Sequence, residues 1–245
     1  MTITVTNSLN ASFVVLMSEE IHAMFTDIAP RYDVTNSVLS LGVHHIWRSI
    51  TVKESGAIAG SSVLDCATGT GDLAISFAQK VGPTGRVVGT DFNAEMLSTA
   101  PDKAFKKGFS VAFELADVMK LPYSNAEFDI SSIAFGIRNV DDKALAISEL
   151  ARVVKPGGKV VILEFGQPNG LLGASYRLFS RKVIPLVGGL LTGNRRAYEY
   201  LPETAASFPC REDFLDLMRS TGQFSLVKYR ELTGGIAFLY IGTVA

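Results

Sequence analysis

The sequence predicts an α/β domain with a mostly parallel, doubly wound sheet that ends in an antiparallel hairpin. Three observations carry this. From Ser62 onward, short runs rich in Val, Ile and Phe alternate with longer stretches of helical periodicity, the pattern of a parallel sheet covered by helices. The first run passes directly into a tight glycine turn that opens a helix. The last two runs, Phe224 to Leu232 and Ile236 to Thr243, are joined only by Thr233-Gly234-Gly235, which suits a hairpin.

The elements follow in order. Between Ser18 and about Lys53, residues such as Ile21, Met24, Phe25, Ile28, Val38, Leu39, Val43, Ile46, Trp47 and Ile50 recur at helical spacing. They predict a helical cap over 18–55, interrupted at Pro30. After a small-residue linker, strands are expected at Ser62 to Cys66, Arg86 to Asp91, Ser110 to Leu115, Phe128 to Ala134 and Lys159 to Phe165. Helices are expected at Asp72 to Val81, Ala94 to Lys107 and Asp141 to Val154, the last stopped by Lys155-Pro156-Gly157-Gly158. Residues 169–208 break the rhythm with an apolar, Gly-rich stretch carrying Arg177, Arg181, Lys182, Arg195 and Arg196, which reads as an inserted lid. A helix from Arg211 to Ser220 precedes the hairpin. The whole of 1–245 is expected to form one domain.

Composition narrows the function. Hydrophobic residues make up 47% and charged ones only 19%, which excludes a disordered chain. With 23 basic against 24 acidic residues there is no overall field for nucleic acid, and no nucleic-acid partner is expected. Only Cys66 and Cys210 are present, so neither a disulfide framework nor a structural zinc site is expected, and the natural compartment is the cytoplasm. The amino terminus lacks a signal-peptide pattern, and no stretch reaches the ~18 apolar residues that span a bilayer. The excess apolar surface therefore belongs to a core, a greasy pocket, or a face that meets something greasy.

The sharpest local signal is Val63-Leu64-Asp65-Cys66-Ala67-Thr68-Gly69-Thr70-Gly71-Asp72. Glycines let backbone approach a ligand, and a helix amino terminus offers unpaired N–H groups. Asp91 lies 26 residues after Asp65 at the end of the second strand, where a carboxylate can accept from both hydroxyls of a ribose. The spacing also satisfies a dinucleotide fingerprint, so a nicotinamide dehydrogenase is the rival. Charge favours another ligand: Asp65 and Asp72 bracket the turn with carboxylates, a poor setting for pyrophosphate and a good one for the cationic sulfonium of S-adenosylmethionine. Phe92, and Asp117 with Val118 after the third strand, join the cofactor-binding candidates Asp65, Thr68, Gly69, Thr70, Gly71, Asp91 and Ala134. The plainer alternatives are that Asp72 complements a helix dipole and Asp117 caps a turn.

Three separated motifs make the reading specific. Tyr32-Asp33-Val34-Thr35-Asn36-Ser37-Val38-Leu39-Ser40-Leu41-Gly42-Val43-His44-His45-Ile46-Trp47 resembles the amino-terminal signature of the quinone C-methyltransferases of menaquinone and ubiquinone synthesis. Arg152 to Phe165 and Phe135-Gly136-Ile137-Arg138-Asn139-Val140 resemble the same family, in order, over nearly the whole chain. The resemblance implies a Rossmann-like class I methyltransferase fold, S-adenosylmethionine as donor and a polyprenyl hydroquinone as acceptor. It places cofactor contacts on Thr70, Asp91, Asp117 and Val118, and Ala134 stands where the family often carries serine.

Methylating a ring carbon calls for a nucleophilic ring, and removing a phenolic proton with pKa near ~10 raises electron density ortho to the oxygen. Arg138 is expected to stabilise the phenolate and Asn139 to fix a ring oxygen, both following the fourth strand at the crevice mouth. The bland reading has Asn139 capping the next helix and Arg138 paired with a surface acid. Tyr32 and Asp33 are expected to close over the cofactor, with Asp33 an alternative base, and His44 is a further catalytic candidate. No metal is expected. The acceptor expected first is demethylmenaquinol, with a 2-methoxy-6-polyprenyl-1,4-benzoquinol as the alternative and a non-catalytic quinone- or lipid-binding module behind both. The basic, greasy stretch 171–192 suggests peripheral contact with the inner face of a membrane, against a lid that never touches lipid. Homodimerisation is left open.

Overall fold

Alternating apolar runs resolve into seven strands: β1 (Ser62–Cys66), β2 (Arg86–Asp91), β3 (Ala112–Leu115), β4 (Phe128–Ala134), β5 (Val154–Phe165), β6 (Phe224–Leu232) and β7 (Ala237–Val244). The computed structural model describes residues 23–245, apart from the side chains of Pro30, Tyr32, Leu171 and Leu172. The sheet order is β3-β2-β1-β4-β5-β7-β6. The first five strands run parallel, and β7 lies antiparallel between β5 and β6. The order reverses between β1 and β4, so the loops leaving the carboxyl ends of those strands diverge and open a crevice.

Residues 23–28 are helical and pass through a 3-10 turn, Ala29–Arg31, into α1 (Tyr32–Leu39) and α2 (Val43–Glu54), with Pro30 inside the turn as its fixed φ dictates. The part of the predicted cap before Ala23 and the Tyr32 side chain lie outside the described residues. α3 (Asp72–Val81) covers the sheet face where Trp47, Phe77 and Leu239 are buried. α6 (Lys143–Arg152) and α9 (Glu212–Ser220) cover the other face over Ile147, Leu150, Phe214 and Tyr240. Each such large side chain contributes roughly 1.5–3 kcal/mol through its burial.

Several boundaries differ from the expectations. The helix predicted from Ala94 to Lys107 is two, α4 (Ala94–Leu97) and α5 (Ala100–Lys106), because Pro101 fits the first turn of a new helix better than the interior of an old one. The helix predicted from Asp141 starts at Lys143, since Asp142 is its cap and accepts from the Leu145 N–H at 2.9 Å. β3 begins at Ala112 rather than Ser110. β5 begins at Val154, ahead of Gly157 and Gly158, because Val154 already pairs with Phe128 across a register shift. The hairpin link is a 3-10 turn, Thr233–Gly235, and β7 starts at Ala237.

The insertion forms two helices, α7 (Gly170–Thr192) and α8 (Arg195–Ser207). α7 runs through Pro185 and Gly188 because tertiary packing overrides local propensity: a Cβ on Gly188 would lie 2.2 Å from the Tyr198 ring, so the two helices meet where no side chain intervenes. Ile184, Ala197 and Tyr198 bury a small core of their own with Ile28, flanked by Phe25 and Leu39, which joins lid to cap. The Arg31 guanidinium adds a bond to the Leu191 carbonyl at 2.7 Å.

Candidate active site

The β1 strand ends in a turn that only small residues can make. Gly69 and Gly71 have φ of +56° and +83°, and a Cβ on Gly71 would meet Phe113 at 2.8 Å. The Gly69 N–H donates to Asp91 Oδ2 at 2.8 Å and the Asn93 N–H to Oδ1 at 3.0 Å, which holds the Asp91 carboxylate at the end of β2. Asn93 caps α4 and donates through Nδ2 to Thr26 Oγ1 at 3.1 Å, tying the cap helix to the same corner.

Above this turn lies a cleft of about 690 Å³. Its walls carry Gly69, Asp91, Phe92, Asp117, Val118, Ala134 and Asn139, all named from the sequence. Ala134 offers only a methyl group there. Asp117 Oδ1 accepts from the Met119 N–H at 2.8 Å, so this residue shapes its turn while also lining the cleft. Reasoning from the sequence missed Phe25, Met96, Met119 and Asp141 on the same walls. Nothing local marks them, since each arrives from a different element.

The electrostatics correct one expectation. Asp65 is fully buried and does not line the cleft: Thr68 Oγ1 donates to it at 2.7 Å and Ser132 Oγ at 2.6 Å. Burial pushes its carboxyl up to about 6 despite those two bonds. Asp72 faces away, bonded to Arg48 at 2.7 Å and Lys103 at 2.6 Å. Burial alone would raise its pKa, but the two cations outweigh that and hold it low. The carboxylates of the cleft are instead Asp91, Asp117 and Asp141, with no Lys or Arg among its described lining residues. That donor set still repels a pyrophosphate and suits a cationic ligand that carries a ribose.

Other predicted residues also sit behind the wall. Thr68 is spent on Asp65, and Thr70 donates to Asp33 Oδ1 at 2.6 Å and accepts from Lys103 Nζ at 3.1 Å. Gly71 packs under Phe113. Asp33, expected as an alternative base, is ion-paired to Lys103 at 2.5 Å. It lines neither this cleft nor the chamber described next. Asp33, Thr70, Lys103, Asp72 and Arg48 thus form one network that fastens α1 and α2 onto the glycine turn.

A second cavity, about 300 Å³ and largely apolar, lies between cap and lid, and Phe25 and Phe135 line both spaces. Phe135 has φ of +56°, a strained value for a bulky residue that persists here because its N–H bonds the Leu163 carbonyl at 2.7 Å and its ring packs on Phe165. Arg138 lines this chamber with its side chain 5% exposed, bonded to Glu164 Oε1 at 2.8 Å. Its partner is a fully buried acid and not a surface one. Arg138 Nε is buried with no partner among the described residues. Asn139 caps no helix, and its Oδ1 accepts from Tyr200 Oη at 3.1 Å. His44 also lines the chamber, with Nδ1 2.5 Å from Ser40 Oγ. Glu164 and Ser40 were readable in principle, as a lone acid within an apolar strand and a serine one turn before a histidine.

The buried Asp65 sets a pH signature. A raised carboxyl pKa means the folded state binds its proton more tightly, so stability falls as pH rises from about 4 to about 6, by on the order of 3 kcal/mol. Asp65→Asn should remove that fall. Thermal melts of both proteins from about pH 4 to about pH 7 check it, and parallel curves would refute it.

Comparison with known proteins fits this geometry. The sequence profile of the ubiE/COQ5 methyltransferase family matches residues 13–244. A Bdellovibrio bacteriovorus protein named ubiquinone/menaquinone biosynthesis C-methyltransferase UbiE is 56% identical over 227 residues, covering 92% of this chain and 96% of the other. A Deinococcus radiodurans demethylmenaquinone methyltransferase is 45% identical, covering 91% and 92%. A SAM-dependent methyltransferase from Aquifex aeolicus shares the fold, with a TM-score of 0.61 at 21% identity, covering 81% and 89%. So does the [4+2]-cyclase SpnF, at 0.65 and 18%, covering 89% and 76%, and the fold alone therefore does not name a reaction. The acidic cleft, the apolar chamber beside it and the match along nearly the full length agree: the chain belongs to the ubiE/COQ5 methyltransferase family, with S-adenosylmethionine as methyl donor.

Proposed function

We propose that the protein methylates a ring carbon of a polyprenyl hydroquinone, demethylmenaquinol first, with a 2-methoxy-6-polyprenyl-1,4-benzoquinol as the alternative. The observation that carries this reading is the pair of cavities sharing Phe25 and Phe135, one lined by three carboxylates, the other lined by the buried guanidinium of Arg138. A flat, electron-rich ring with a greasy tail matches the second. The donor supplies an electrophilic methyl group on a positively charged sulfur.

In this reading Asp91 accepts the ribose hydroxyls, Asp117 the adenine amino group, and the backbone at Gly69 lies against the donor's amino-acid end. Arg138 faces a ring oxygen and stabilises negative charge as it develops, in a chamber where burial strengthens the interaction. Asn139, on the cleft wall, orients the ring from the other side through Tyr200. Positioning of this kind supplies roughly 7–11 kcal/mol of a bimolecular barrier. Cap, sheet and lid act as one domain.

The tail has to come from lipid, and the outer faces of cap and lid suit that. Val34, Val38 and Leu41 on the cap and Leu178, Leu186 and Leu190 on α7 are exposed, Leu41 at the chamber itself. Arg177, Arg181 and Lys182 lie exposed among them, and α7 contains no acid. No helix of the described residues is long and apolar enough to cross a membrane. The arrangement supports peripheral contact with an anionic surface, apolar side chains down and cations at the head groups.

Four outcomes are expected. Incubation with reduced desmethyl naphthoquinol and benzoquinol, scored by mass spectrometry, should show a gain of one methyl, and neither ring gaining one would end the reading. In that assay Arg138→Lys should keep cofactor affinity and lose most turnover. It is cleaner than Arg138→Ala, which strands the buried Glu164. Asp91→Ala should weaken S-adenosylhomocysteine binding about 10- to 100-fold by calorimetry, and unchanged affinity would move the ribose elsewhere. Leu41→Asp with Leu190→Asp should reduce flotation with phosphatidylglycerol vesicles while leaving the melting temperature within a few degrees; undiminished flotation would free this face of the role.

A further inference from the structure

We propose that His44 takes the proton from the quinol hydroxyl, held in its Nδ1–H tautomer by a hydrogen-bond relay through Ser40 to the backbone carbonyl of Asn36. The proposal rests on the quinol reading above and adds a named base to it.

The assignment is a count of protons. Ser40 Oγ lies 2.7 Å from the Asn36 carbonyl oxygen and 2.5 Å from His44 Nδ1. A carbonyl only accepts, so the single hydroxyl hydrogen of Ser40 goes to Asn36. What Oγ then presents to the histidine is a lone pair, and Nδ1 must meet it with a hydrogen. A neutral imidazole has one N–H, so Nε2 is left bare. Nε2 has no hydrogen-bond partner among the described residues, and His44 stands on the wall of the same chamber as Arg138.

The surroundings keep the ring neutral. Burial first, then Arg48 and His45 on its own helix, lower the His44 pKa to about 4, while Asp72 at the start of α3 and Asp33 on α1 offset part of that. Across the chamber stand Arg138 and the phenols of Tyr176 and Tyr200. Burial raises both phenols, Tyr176 to about 12, which leaves them poor proton acceptors. The rival base from the sequence, Asp33, is closed off by Lys103. His44 is thus neutral at pH 7, able to accept the hydroxyl proton as methyl transfer makes it acidic, and its protonated form readily gives the proton back.

The step balances. As the ring carbon bonds the methyl group, the methyl–sulfur pair stays on sulfur and the hydroxyl proton passes to Nε2, with the O–H pair forming a ring carbonyl. The methylated carbon still carries its hydrogen. That hydrogen leaves as a proton to solvent water, its bonding pair restores the aromatic ring, and His44 returns its proton to the oxygen. One proton is released for each methyl transferred. Arg138 lowers the cost by hydrogen-bonding the oxygen as it gives up its proton and its share of negative charge rises.

The test has two arms. In ¹⁵N NMR of the wild-type protein, His44 should show a protonated Nδ1 and a bare Nε2 at neutral pH. Only the Nε2 resonance should move strongly when desmethyl naphthoquinol is added with S-adenosylhomocysteine, a complex that cannot react. A proton found on Nε2 overturns the proposal whatever the variants do. His44→Asn keeps a donor for Ser40 but removes the base, and should lower kcat about 100-fold or more with S-adenosylhomocysteine affinity unchanged. Imidazole should rescue His44→Gly where pyrazole, equal in shape but barely basic, does not. Turnover of His44→Asn within about threefold of wild type, or equal rescue by both azoles, would leave His44 a packing residue. If the wild type itself methylates neither quinol, the quinol reading fails; if the wild type turns over and His44→Asn does too, only the base is wrong.

Discussion

The buried pair of Arg138 and Glu164 is the constraint on which the wall between cleft and chamber depends. Glu164 is fully buried on β5 and accepts from the Arg138 guanidinium at 2.8 Å, the Arg138 N–H at 3.2 Å and the Phe165 N–H at 2.8 Å. A carboxylate removed from water is tolerable only with such a complete set of donors. The same bonds fix the short turn Ile137–Asn139 after β4, so that Arg138 looks into the chamber while Asn139 looks into the cleft. The Arg138 Cζ lies over the Phe165 ring, 5.4 Å from the centroid, where the ring face attracts the cation. Its Nε is buried with no hydrogen-bond partner among the described residues.

The second organising feature is a separation of charge. Cations gather behind the glycine turn, where Arg48 and Lys103 meet Asp72 and Lys103 also meets Asp33; the carboxylates of Asp91, Asp117 and Asp141 line the cleft in front. The partly buried network behind does mechanical work. It draws the cap onto the turn, and so brings Phe25 to the boundary between the two cavities. Both cavities therefore take part of their walls from the cap, Phe25 in the cleft and Phe25, Leu39 and His44 in the chamber.

Much of this was legible beforehand. β1, β2, β4, β6 and α3 fall at the predicted bounds, because alternating apolar runs bordered by glycine or a charged residue leave little freedom in where a buried strand or helix may end. Asp91, Phe92, Asp117, Val118 and Ala134 line the cleft as expected because each lies at or just past the carboxyl end of a parallel strand, on the side where the crevice opens. Most of the misjudged residues share one cause. Asp65, Thr68, Thr70 and Gly71 lie in or beside the glycine turn, yet a chain turning this sharply sends neighbouring side chains to opposite sides, and Asp33, from the cap, is drawn behind that turn by Lys103.

The sequence by itself determined the order of elements, the place of the crevice and the family, since these rest on local periodicity and on motifs that survive being read one at a time. Only the tertiary structure decided which acids face the ligand and which are neutralised behind it. It also decided that Arg138, in the turn after β4, pairs with Glu164 on β5 and that His44 Nδ1 meets Ser40 Oγ. Charge and proton location depend on distances of a few ångströms between residues far apart in the chain, and no spacing along a sequence records them.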